Sequence, residues 1–313
     1  IKLYVCHVQT DNKDNKMTTP PYLKKGDSIA IIAPARKISE QELQPAIAIL
    51  NSWGLNVILS KNLLHQHHQF SGTDEDRTAD LQQMLDDPAI KAVMSARGGY
   101  GTLRIIDKIN FTNFQKNPKW IVGYSDITVL HSHIHQNFGI ETMHGTMPIN
   151  FSKDIESTET LRKALFGEKI NYSTGTHPLN KKGKGRGKIV GGNLSLLYAL
   201  TGSQSNIVTE GKILFIEDLD EYLYHIDRMM VSLKRAGQLE HLSGLIVGGM
   251  SDMKDNQVPF GKTAEEIILD VVKEYDYPVC FDFPSGHTEK NFAIPLGRTI
   301  KMEVADSVSV AFT

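Results

Sequence analysis

The chain has 313 residues, 40% of them apolar, and 34 basic against 36 acidic side chains leave a formal charge of −2. That balance describes a globular protein and argues against nucleic acid as a partner, and no apolar run reaches the roughly 20 residues a membrane-spanning helix needs. Only Cys6 and Cys280 are present, far apart in sequence, so no disulfide framework is expected and a reducing compartment is permitted.

Residues 1–16, "IKLYVCHVQTDNKDNK", read as a leader or cloning remnant ahead of a natural start at Met17; their apolar part is too short for a signal-peptide core. From residue 28, short apolar runs alternate with helical patterns. "SIAIIA" (28–33), "LNVILS" (55–60), "IKAVMS" (90–95) and "KWIVG" (119–123) suit strands buried on both faces of a parallel sheet. Between them, "SEQELQPAIAILNSWG" carries Ser39 and Glu42 at capping-box spacing and Gly54 at its exit, "TDEDRTADLQQMLDD" has acids in its first turn, and "GTLRIIDKI" reads as a further helix. Residues 17–150 are therefore expected to form a doubly wound, mostly parallel α/β domain of flavodoxin or Rossmann type, with ligands at the carboxyl ends of its strands.

Residues 151–185 have weak periodicity and read as an interdomain crossover, and "KKGKGRGK" (181–188) as a glycine-loosened surface loop. Over 186–313 a second, mixed β/α domain is expected. Its strands are "KIVGG", "KILFIED" (212–218), "LSGLIVGG", "PVCFDF" and a terminal hairpin of "RTIKMEV" and "SVSVAFT". Its helices are "NLSLLYAL", "KTAEEIILDVVKEY" and "LYHIDRMMVSLKRAG", the last with Ile226, Met229, Met230 and Leu233 on one core-facing stripe.

"GYSDIT" (123–128) places Ser125 between a strand and a helix. A serine there caps helix N–H groups, or, on a sharp turn, becomes a nucleophile beside N–H groups able to hold an oxyanion; local sequence leaves both open. "SARGGYG" (95–101) is a second strand-to-helix glycine turn. It lacks the endings of a phosphate loop or dinucleotide site, and the first such turn, "APARK", lacks glycine, so no nucleotide cofactor is expected. In a parallel sheet both turns open on one edge, which makes the N–H groups of Gly99 and Asp126 candidate oxyanion donors.

"LFIEDLDEY" ends a buried strand in Glu217, where a partly buried carboxylate needs a partner such as histidine. His287 follows a flexible Ser-Gly in "SGHTEKNFAIPLG". His131 and His135 share zinc-like i, i+4 spacing, but the glutamate of H-E-x-x-H and a clear third ligand are missing, so no metal is expected.

Taken in order, "PPYLKKGDSIAIIAPA", "ARGGYG", "GYSDIT", "GGNLSLL", "LFIEDLDEYLYHIDRMM" and "GHTEKNFAIPLG" resemble the LD-carboxypeptidases, serine peptidases that recycle bacterial cell-wall peptides. The resemblance covers nearly everything after Met17. It implies Ser125 as nucleophile, Glu217 as acid and His287 as base, with Asn291 also matching, and it matches the expected two-domain fold. One departure is "DLDEYLYHIDRMM", where family members often carry glycine and paired prolines before I-D-R. The resemblance further implies hydrolysis of the bond from an L-centred diaminopimelate or lysine to the terminal D-alanine of a murein tetrapeptide, in a cytoplasmic homodimer without metal or cofactor. Arg97, beside the glycine turn, is the candidate partner for the free substrate carboxylate. Two rival expectations are an immunity peptidase of the same family that cleaves a peptide-nucleotide antibiotic, and a noncatalytic protein that binds small peptides or sugars.

Overall fold

The computed structural model describes residues 17–313; the leader expected over 1–16 lies outside them. The strands are β1 (Ser28–Ile32), β2 (Asn56–Leu59), β3 (Ile90–Ser95), β4 (Trp120–Gly123), β5 (Thr142–His144), β6 (Asn171–Thr174), β7 (Gly183–Asn193), β8 (Ile213–Leu219), β9 (Gly244–Ser251), β10 (Val279–Cys280), β11 (Ile294–Leu296), β12 (Thr299–Val304) and β13 (Val308–Phe312). The helices are α1 (Glu40–Ser52), α2 (Asp74–Asp86), α3 (Thr112–Lys116), α4 (Thr128–Phe138), α5 (Ile155–Leu165), α6 (Leu194–Ala199), α7 (Leu223–Arg235) and α8 (Ala264–Val272). Among the described residues, no helix is long and apolar enough to cross a membrane.

Strands order as β11-β5-β4-β3-β1-β2 in one sheet, parallel throughout except for β11, which runs antiparallel to β5. Alternate residues of β1 and β3 serve opposite faces, as a pleated strand requires. Ile29, Ile31, Ala92 and Met94 pack with Leu43 and Leu50 of α1 and with α5, whereas Ala30, Ile32 and Val93 pack with α2 and α4. Helices on both faces explain the near-continuous apolar runs of these strands, and the sheet is doubly wound as expected. Reciprocal capping boxes of Ser39 with Glu42 and Thr73 with Asp76 start α1 and α2.

The second sheet orders as β10-β9-β8-β7-β12-β13-β6, with β7 to β10 parallel and β12, β13 and β6 antiparallel. Ile226, Met229, Met230 and Leu233 of α7 are fully buried on it, each worth about 1.5–3 kcal/mol of gross transfer free energy. Ile213, Phe215 and Ile246 on the opposite face join the core of the first sheet, so one apolar cluster spans both.

Two expectations need correction, and one segment holds more regular structure than its weak periodicity suggests. "GTLRIIDKI" folds as two short 3₁₀ turns, Thr102–Arg104 and Ile106–Lys108, because Gly101 and the loop ahead are held from outside, as described below. The segment 151–185 contains α5, started by Asp154, whose carboxylate accepts from Glu156 and Ser157 N–H, and β6. "KKGKGRGK" is not a loop: from Gly183 on, its glycine-cation alternation is the period-two start of β7. A side chain at Gly185 would strike the Ser243 carbonyl, and one at Gly187 would lie 2.7 Å from the Gly211 carbonyl, so glycine is what lets this strand pass.

Candidate active site

β4 ends at Gly123 and the chain turns sharply through Tyr124 into a 3₁₀ turn, Ser125–Ile127, before α4. Ser125 has φ +63°, a left-handed conformation that costs a non-glycine residue about 1–2 kcal/mol. Its hydroxyl caps neither the 3₁₀ turn nor α4, both of which lack a side-chain cap. Of the two readings left open by local sequence, the structure therefore leaves a strained, uncapped serine at a strand-to-helix turn, the conformation that lifts a nucleophile above a sheet edge. His131 of α4 supports the turn by donating from Nε2 to the Gly123 carbonyl at 2.9 Å. Buried, it is pushed down to about 3 and stays neutral.

The glycine turn lies against Ser125. A Cβ on Gly98 would sit 3.0 Å from Ser125 Cβ and 3.1 Å from its Oγ, so any larger residue would crowd Ser125 and force it to shift. Gly99 has φ +118°, and its N–H donates to no protein acceptor among the described residues. The exit of the loop is pinned twice: buried Asp126 accepts the Thr102 N–H at 2.8 Å, and buried Arg77 donates to the Gly101 and Pro34 carbonyls at 3.1 and 2.7 Å. Burial raises Asp126 to about 6 against its bonds to Thr102 and Gly101.

The strand β8 delivers Glu217, 0% exposed, to the end of the second sheet. Its Oε2 accepts both the His287 Nδ1–H at 2.6 Å and the His287 backbone N–H at 3.1 Å. This pair of bonds fixes the Nδ1–H tautomer and leaves Nε2 free as a base. Burial opposes both charges, yet the mutual attraction prevails: Glu217 is held below the usual carboxylate range and His287 is raised above the usual histidine value, with Asp218 adding to the latter. Gly286, at φ +104°, makes the fit possible, because a Cβ there would lie 2.7 Å from Glu217 Cβ and Cγ.

The two sheets meet at this point. Tyr124, next to Ser125, has its ring centroid 4.8 Å from that of His287. Asn193 donates its N–H to Thr128 Oγ1 at 2.9 Å and its side-chain amide to Asp218 at 2.8 Å, which ties α4 to β8. Asp218 is raised to about 6 by burial and by the neighbouring Glu217 charge. Among the described residues no hydrogen bond joins Ser125 to His287.

A cavity of about 500 Å³ opens beside His287, lined also by Tyr124, Asn150, Lys153, Ser157 and Lys290, a size suited to a small peptide. Lys290 pairs with Glu156 at 2.7 Å, whereas among the described residues no ion pair engages Lys153. Arg97 is not on this wall: its guanidinium donates to the Lys37 carbonyl at 3.2 Å and lies 4.0 Å from Glu42. Tyr124, Lys153 and Lys290 were missed in the sequence, since tyrosine and lysine carry no spacing signal. Among the described residues no three His, Cys, Asp or Glu side chains group as a metal site, and His135 is instead bonded to Thr142 Oγ1 at 3.0 Å.

Two family models match the chain, the LD-carboxypeptidase N-terminal domain over residues 29–145 and the LD-carboxypeptidase C-terminal domain over residues 186–302. The probable murein peptide carboxypeptidase of Bacillus subtilis is 39% identical over 298 residues, covering 93% of each chain. Among solved structures, muramoyltetrapeptide carboxypeptidase from Oxalobacter formigenes superposes with a TM-score of 0.83 at 25% identity, over 91% of this chain and 98% of that one. MccF in complex with glutamyl sulfamoyl guanosine superposes with a TM-score of 0.84 at 21% identity, over 95% and 98%, a likeness of fold.

Proposed function

The chain belongs to the LD-carboxypeptidase family and is a serine peptidase, and from that premise we propose that it removes the terminal D-alanine of murein tetrapeptides during cell-wall recycling. The observation that carries the reading is the pair of hydrogen bonds that Glu217 accepts from His287, which leaves Nε2 free beside the residue that precedes the strained Ser125. In the proposed reaction Nε2 takes the Ser125 proton as Oγ attacks the carbonyl between the L-centred diamino acid, diaminopimelate or lysine, and D-alanine. Glu217 stabilises the imidazolium that forms and holds its orientation. Gly99 and Asp126 N–H receive the oxyanion. The proton then passes to the leaving amine, D-alanine departs, and water attacking with the same base releases the peptide. Ser125 and His287 close on each other when substrate binds, as catalytic hydrogen bonds commonly do.

Arg97 is proposed to take the free carboxylate, swinging from Lys37 and the outlying Glu42; Lys153, already on the cavity wall, is the competing cation. The same proposal holds that residues 17–150 carry the nucleophile and 186–313 the acid and base, joined through 151–185, in a cytoplasmic homodimer; cell fractionation and light scattering read the last two. The activity test offers a murein tetrapeptide and an aminoacyl-sulfamoyl nucleotide side by side. Release of D-alanine is expected. Cleavage of the nucleotide alone assigns the chain to immunity, and turnover of neither leaves it a binding protein.

A further inference from the structure

Beyond the three proposed catalytic side chains, and resting on that reading, we infer that His144 is a positioning residue, a buried side chain that touches the supports of Ser125, Glu217 and His287 together. His144 ends β5 in the first sheet and is 0% exposed. Its ring meets that of Tyr124, the residue before Ser125, at 5.8 Å and 61°. It meets Phe215, two residues before Glu217 on β8, edge-on at 5.0 Å and 82°. On the third side its Nε2–H donates to Asn291 Oδ1 at 3.1 Å.

That oxygen sets the turn carrying the base. It also accepts the Gly286 N–H at 2.9 Å, while the Asn291 N–H donates to Ser157 Oγ of α5 at 2.7 Å. Gly286 adjoins His287, so a shift of Asn291 moves the imidazole relative to Glu217 and Ser125. The hydrogen bond reaches from β5 to a loop nearly 150 residues later in the chain, and its partners are too buried for water to replace it. Burial also pushes His144 down to about 4, against Glu217 and the Asn291 bond, so the ring donates as a neutral imidazole and adds no second cation beside His287. A loss of register of about 1 Å in such a support can cost on the order of 100-fold in rate.

The test compares His144→Phe, which keeps the ring contacts and removes the donor, with His144→Gln, whose amide restores a donor near the same place. The readouts are phosphonylation of Ser125 by a fluorophosphonate, which needs no peptide substrate, and kcat and KM for D-alanine release from a murein tetrapeptide. His144→Phe is expected to slow labelling and kcat about tenfold or more, with KM within about twofold and melting close to wild type, and His144→Gln to recover most of the loss. Should His144→Phe not fold, Asn291→Leu breaks the same bond from the other end and is expected to give the same deficit. Wild-type rates in His144→Phe, or in Asn291→Leu, overturn the inference, as does an equal deficit in His144→Gln and His144→Phe. A wild-type protein that labels at Ser125 yet spares the tetrapeptide overturns the proposed substrate and leaves the role of His144 to be read from labelling.

Discussion

Replacing Ser125 by alanine and by glycine removes the same hydroxyl, so the difference between the two variants isolates the backbone. Ser125 sits at φ +63°, where any residue with a Cβ bears about 1–2 kcal/mol of strain that glycine escapes. Glycine gives back part of this through the greater freedom of its unfolded chain, about 0.4–1 kcal/mol. The net is a Ser125→Gly protein more stable than Ser125→Ala by about 0.5–1 kcal/mol, which for a chain of this size raises the melting temperature by roughly 1–1.5 °C. Thermal melts of the two variants by circular dichroism, in one buffer, read this directly, and urea midpoints at constant slope give the energy. Both variants are expected to be inactive, so the gain is stability that the wild type gives up to hold its serine in place. A Ser125→Gly protein that melts at or below Ser125→Ala would refute the strained-turn reasoning.

The raised His287 places the acid limb of kcat/KM above the usual histidine value of about 6.5: the base must be neutral, so activity rises with pH through that limb. Glu217→Gln is expected to move the limb down and to lower kcat by orders of magnitude, and an unmoved limb would remove Glu217 from the pair. Gly286→Ala drives a Cβ into Glu217 at a positive φ and is expected to cost about 2–5 kcal/mol in urea unfolding; a neutral result would contradict the local packing. His131 is neutral in the fold but protonates near 6.5 when unfolded, so its share of stability is present above that pH and lost as pH falls. Between pH 7 and 5.5 this loss is about 1 kcal/mol, and His131→Phe should lack it. For Arg97→Ala, turnover of the tetrapeptide is expected to fall about tenfold and that of its terminal amide far less, whereas equal losses would make Arg97 a support for the loop at Lys37 and move the clamp to Lys153.

Much of the fold is legible because burial on both faces writes itself into sequence: Ile29 to Ile32 and Ile213 to Ile216 face two cores each, and no other element type of that length needs continuous apolar residues. The helix start at Ser39 is equally plain, since a reciprocal cap has fixed spacing, and acids in its first turn mark α2, whereas the Thr73 cap is seen only in the structure. The second half of β7 reads as the strand "KIVGG", but its first half reads as a loop because glycine is counted as a breaker, although Gly185 and Gly187 each clear a neighbouring carbonyl that only the tertiary structure places. β5 is three residues long and carried no pattern. At the site, the glycine turns and the acid after a buried strand marked where chemistry could sit, and the family resemblance gave the roles. His144 was invisible, because a neutral buried histidine looks in sequence like any of the twelve. Its meaning lies in contacts with residues 124, 215 and 291, which no local window contains. Arg97 shows the converse: adjacency along the chain to Gly98 did not fix where a long side chain points.

The central claim, that Ser125 attacks the substrate, is tested most directly by rapid acid quench of the enzyme with excess murein tetrapeptide, followed by mass spectrometry of the peptide containing Ser125. The account predicts a tripeptidyl ester on Ser125 that accumulates with release of one D-alanine per site, and no adduct or release in Ser125→Ala. D-Alanine released by Ser125→Ala at an undiminished rate, with no ester on the wild-type serine, would contradict it.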